Sequence, residues 1–161
     1  MRSVSPGHVR LLLAGTALLG LHLPATAAAQ SCGTAAGRYM LRLDPALVAF
    51  PDPGPDDFAI GWIEAAPLLI NVRPRGTANR PWVLCLRADT PDMGGYGKPI
   101  SDLQFRRDGQ SAWTAMRLSD QLLAQGDRGE DITLHFRVMI DESVDAPGLY
   151  RADYTATAAR P

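Results

Sequence analysis

After residue 38 the apolar and polar positions of this chain alternate with a period of two, the spacing of half-buried strands rather than of helices. Tyr39, Leu41 and Leu43 alternate with Arg38 and Arg42, Phe58, Ile60 and Trp62 with smaller residues, and Leu68, Ile70 and Val72 with Asn71 and Arg73. The segment WVLCLRA at 82–88 is apolar on both faces, as a central strand is. Segments 100–106 and 112–118, the latter around Trp113, read as shorter strands. Ile132, Leu134, Phe136, Val138 and Ile140 make the cleanest run, and Tyr150, Ala152, Tyr154 and Ala156 follow it, opposite Arg151, Asp153, Thr155 and Thr157. The pattern predicts that 132–140 and 148–157 pair antiparallel about a loop at 141–147. Turn signals separate the runs: PDPG at 51–54, PRG at 74–76, DMGG at 92–95, DG at 108–109, DRG at 127–129 and PG at 147–148. PDPGPDD at 51–57 reads as a loop. SDQLLAQG at 119–126 reads equally as a short helix between Ser119 and Gly126 or as a short strand.

Seven or eight short strands without interleaved helices predict an all-β domain. The expected architecture is an immunoglobulin-like antiparallel β-sandwich, with a small β-barrel as the alternative.

The first residues read as an export signal. Arg2 and Arg10 form a positive n-region, residues 11–21 a short apolar core, and Ala27, Ala28 and Ala29 a small-residue cleavage site. Cleavage after Ala29 leaves one domain at 30–161 in the periplasm, on the cell surface or secreted. The apolar core falls short of the about 20 residues a membrane span needs, so stable membrane insertion is not expected. The chain has 16 Lys and Arg against 17 Asp and Glu, a net charge of −1. Loss of Arg2 and Arg10 makes the remainder more acidic, which gives no basis for nucleic acid as a partner.

Two cysteines remain, Cys32 and Cys85. An oxidising compartment and an even count favour a disulfide between them. Lipidation of Cys32 and a free thiol are the other fates, although Ala29 and Gln30 fit a lipoprotein signal poorly. On 82–88, Trp82, Leu84 and Leu86 share one face and Cys85 the other, so a bridge should run along one sheet or over its outside rather than across the core. Its Cα atoms should lie roughly 4.4–6.8 Å apart.

The C-terminal stretch PGLYRADYTATA, 147–158, with an early cysteine paired to one in a following strand, resembles bacterial pilin-like and spore-coat-U-like secreted domains. That resemblance implies an extracellular immunoglobulin-like sandwich used in surface assembly. Pilins add an alternating extension ahead of the first cysteine to complete a neighbour. Here only Gln30 and Ser31 stand between the expected cleavage point and Cys32.

No motif for catalysis or for a cofactor stands out. His135 is the sole histidine after the leader and lies opposite the apolar stripe of its run, as a partly exposed strand residue. A nucleophile elbow is missing. Asp141, Glu142 and Asp145 are weak calcium candidates without EF-hand spacing. Trp62, Trp82 and Trp113 each lie in an alternating run, which points to the core, although exposed indoles would suit sugar rings. The glycine-rich loop 89–99, with Asp89, Asp92, Tyr96 and Lys98, is the best candidate binding loop. The expected function is a non-enzymatic structural or adhesive subunit, partnered by pilus-like or other surface subunits. The alternatives are a carbohydrate-binding module for cell-surface glycan, using that loop and the tryptophans, and a small hydrolase.

Overall fold

A computed structural model describes residue 32 and residues 37–76, 79–94, 97–145 and 148–161. The predicted leader and Tyr96 lie outside the described residues.

The chain is an all-β sandwich. Its first sheet contains β1 (Tyr39–Asp44), β2 (Trp62–Glu64), β3 (Leu68–Pro74), β7 (Leu103–Arg107), β8 (Thr114–Ala115) and β10 (Glu130–Met139). They run in the order β1-β3-β10-β7-β8, with β2 also on β10. The second sheet is β11-β4-β9, from β4 (Trp82–Ala88), β9 (Gln121–Gly126) and β11 (Tyr154–Ala159). A small hairpin joins β5 (Asp92–Met93) to β6 (Lys98–Pro99). The sheets are open rather than closed into a barrel. All pairings are antiparallel.

The alternation in β10 organises the core. Ile132, Leu134, Phe136 and Val138 point inward and are almost fully buried, as are Leu68, Ile70 and Val72 of β3. They meet Trp82, Leu84 and Leu86 of β4 across the sandwich. Each such side chain contributes about 1.5–3 kcal/mol when buried, more than any single surface contact, so the apolar faces set which way every strand turns. β2 and β3 are one strand with a bulge. Glu64 is opposite Arg137 and Leu68 opposite Leu134, so four steps on one side match three on the other. The bulge falls at 65–67, where Pro67 has no N–H to give the ladder.

Three sequence expectations are corrected and one open alternative is decided. Segments 132–140 and 148–157 do not form a hairpin: β10 lies in the first sheet and β11 in the second, paired with β4. Phe136 and Tyr154 face each other across the core, ring centroids 5.8 Å apart. Residues 58–60 are not a strand, because α1 (Pro55–Ile60) occupies that segment and part of the expected loop. Pro55 at its start, Asp56 and Asp57 in its first turn and Gly61 at φ 84 after it supply the helix signals. Segment 119–126 resolves as strand β9. A register shift opposite Leu84 and Cys85 places both Leu123 and Ala124 inward, which erases the period of two. The strand expected at 112–118 shrinks to β8.

Gly126 is where β9 meets Trp82. A Cβ there would stand 2.6 Å from Cζ2 of the fully buried Trp82 ring. The ring is further held by its Nε1, which donates to the Arg128 carbonyl at 2.6 Å. Gly126→Ala is therefore expected to cost about 1–3 kcal/mol by overpacking, read by urea denaturation. An unchanged midpoint would mean that the indole is free to move.

Candidate functional site

The Cys32–Cys85 bridge lies where the face of β4 predicts. The Cα atoms are 6.0 Å apart. Cys85 is opposite Thr157 of β11 and Leu122 of β9, and neither cysteine belongs to the apolar core cluster. The bridge thus ties residue 32 over the outside of the second sheet.

The loop 89–99 forms the β5–β6 hairpin and leads into a 3-10 turn at Ile100–Asp102. Lys98 is buried within it rather than offered to solvent. Its Nζ donates to Asp102 Oδ2 at 2.9 Å and to Asp145 Oδ2 at 2.7 Å. Burial alone would lower its pKa. Hydrogen bonds and charge from Asp145 and Asp102 together outweigh that, so the pKa lies above the ordinary lysine value. Asp89 accepts from Thr155 Oγ1 on β11, and Asp92 is exposed on β5. Asp89, Asp92 and Lys98 are therefore not gathered at one point.

Asp145 also accepts the Asp141 N–H at 2.8 Å. Asp141 accepts from the Ser143 hydroxyl and N–H, which hold its carboxyl below the usual carboxylate range, while Glu142 is exposed. Among the described residues no three His, Cys, Asp or Glu side chains are placed to share a cation. His135 is half-buried on the outer face of β10, its Nε2 3.3 Å from Asp108 Oδ1.

Among the described residues two surfaces stand out for recognition. The first is the edge shared by β1 and β11, which lie close together without exchanging a ladder. Leu41 and Leu43 of β1 and Tyr154, Ala156 and Ala158 of β11 are only half-buried against the core. The Tyr154 hydroxyl is buried with no hydrogen-bond partner among the described residues, and burial raises its pKa. Strand β11, YTATAA, carries no charge and no proline, so it lacks the usual protection of an edge. Asp89 N–H donates to the Asp153 carbonyl at 2.9 Å, in register with the β4–β11 ladder. Antiparallel alternation then turns the N–H and C=O of Tyr154, Ala156 and Ala158 away from β4, towards the free edge.

The second surface is the outer face of the first sheet. Trp82 is core, as expected, but Trp62 and Trp113 are not. Ile63 takes the inward position of β2, which turns Trp62 outward, and Trp113 precedes β8 on the same face. Arg137 of β10 lies between them, its guanidinium 4.4 Å from the Trp113 ring centre and 5.4 Å from that of Trp62. Arg106 of β7 stands 4.7 Å from the Trp113 centre. The sequence shows the arginines as ordinary outward strand residues. Only the lateral order β8-β7-β10-β2 brings them to the indoles.

No protein-family model, curated protein or solved structure matches the chain. Among the described residues no helix is long and apolar enough to cross a membrane.

Proposed function

We propose that the chain is an exported, non-enzymatic surface subunit that accepts an extended strand from another polypeptide along β11. The observation that carries this reading is the uncharged edge of β11, unpaired among the described residues and flanked by the half-buried inner residues of β1. A strand added there would pair with the outward N–H and C=O groups of Tyr154, Ala156 and Ala158. Alternate apolar side chains on it would cover Leu41, Leu43 and the two alanines. The second sheet has three strands against six in the first, which favours an addition on its side. Export is supported by the leader reading and by the disulfide, a bond of oxidising compartments.

The test uses displayed ten-residue peptides selected on the protein and counter-selected on Ala156→Pro. Proline at 156 removes an N–H from the free side of β11 and leaves the β4 ladder intact. The expected result is enrichment of alternating apolar segments that bind the wild type and lose at least about tenfold in affinity on Ala156→Pro, one net backbone hydrogen bond plus blocked register. No enrichment, or equal binding to a folded Ala156→Pro, would refute the reading.

A further inference from the structure

We propose that the outer face of the first sheet, at Trp62, Arg137, Trp113 and Arg106, binds an acidic glycan through sugar residues bearing a carboxylate. This surface does not include the β11 edge, so it stands or falls separately from the assembly role.

Two cations are held close together here without counter-charges in contact. Among the described residues neither Arg106 nor Arg137 forms an ion pair. Arg137 Nε donates to Gln104 Oε1 at 2.8 Å, and Arg106 Nη1 reaches only the Gln110 carbonyl at 3.4 Å. The Arg106 Nε is buried with no acceptor. Burial lowers the Arg137 pKa first of all; the field of exposed Glu64, opposite it on β2, opposes this, and the neighbouring Arg106 charge, a smaller effect, lowers it further. Bracing the sheet surface would account for an arginine on an indole. It does not account for two like charges over one ring, most of whose N–H donors are left unused.

An arriving carboxylate resolves this arrangement. Its paired oxygens match the planar guanidinium fork, and one negative charge relieves both arginines. The indoles supply the rest. Two guanidinium groups lie over Trp113, whereas Trp62, at the end of the row, meets only that of Arg137, at 5.4 Å, and is half-exposed, which leaves it apolar surface on which a sugar ring can rest. Two arginines on an acidic domain do not suit nucleic acid, which is held by neutralising many phosphates at once.

The experiment titrates the protein with oligogalacturonate, dextran sulfate oligomers and neutral dextran, followed by tryptophan emission and by calorimetry. Oligogalacturonate is expected to bind and to change the emission, and neutral dextran to do neither. Arg137→Gln should weaken binding about tenfold or more, and Arg106→Gln should weaken it in the same direction. Arg137→Lys should recover little, because it keeps the charge but loses the fork. Arg151→Gln, which removes an exposed arginine outside this face, should leave affinity unchanged. Thermal melts within a few degrees of the wild type establish that each variant is folded. Lack of oligogalacturonate binding, equal binding of neutral dextran, or full affinity in both folded Arg137→Gln and Arg106→Gln would overturn the proposal. Binding of dextran sulfate alone would overturn the carboxylate assignment.

Discussion

Replacing Cys32 and Cys85 together by alanine is expected to cost about 4 kcal/mol of folding stability and on the order of 10–20 °C in Tm. The bridge spans 53 residues of sequence, and closing so long a loop in the unfolded chain removes much of its freedom. Both cysteines are nearly fully buried, yet they pack on the outside of β4 and away from the core cluster. The loss should therefore come from the unfolded state and from release of the N-terminal segment, with the interior kept. Thermal denaturation of the wild type under a strong reductant should reproduce the variant's Tm. A drop of less than about 1 kcal/mol would mean that residue 32 is not held against the second sheet.

The second large effect concerns Lys98. Lys98→Met is expected to destabilise the protein by about 3 kcal/mol, because it strands the largely buried Asp145 carboxylate without its cation. Pairing it with Asp145→Asn should restore part of the loss, since the double variant leaves no unpaired charge there. The pH dependence has a definite sign. The folded-state pKa of Lys98 lies above 10.5, so its stabilisation is complete below that value and disappears as pH rises through the folded pKa. Tyr154, raised by burial, loses stability in the same alkaline window. The difference between wild type and Lys98→Met, measured by urea denaturation from pH 9 upward, isolates the lysine. That difference should shrink as pH rises, and a constant difference would contradict the ion-pair account.

What the sequence conveyed, and what it did not, follows from which interactions are local. The run from Ile132 to Ile140 announced its strand because every inward residue there meets the same core. The phase of 82–88 placed Cys85 outside for the same reason. Sheet partnership was not legible. Strands β10 and β11 are neighbours in sequence, but nothing in either strand records that the intervening loop crosses between the layers. In β9 the extra residue in the ladder brings Leu123 and Ala124 inward together, and an apolar cluster of that kind resembles one turn of helix. The helix at 55–60 is too short to show a period, although its proline, acidic turn and closing glycine were all readable. Lys98 looked like a solvated loop residue because Asp145, which buries its charge, is 47 positions away. The Trp–Arg row was hidden by the same distance: Trp62, Arg106, Trp113 and Arg137 come from four separate segments joined only by lateral strand order.

Among the described residues that lateral order also leaves β11 with one unpaired side, and amide hydrogen exchange read residue by residue by NMR examines that side most directly. In the free protein the amides of Ala156 and Ala158 should exchange rapidly, whereas those of Thr155, Thr157 and Ala159 should be protected by β4. On addition of a peptide selected as above, Ala156 and Ala158 should become protected while the β4 ladder is unchanged. Protection of Ala156 and Ala158 already present in the free monomer, or gained protection confined to other strands, would contradict strand acceptance at this edge.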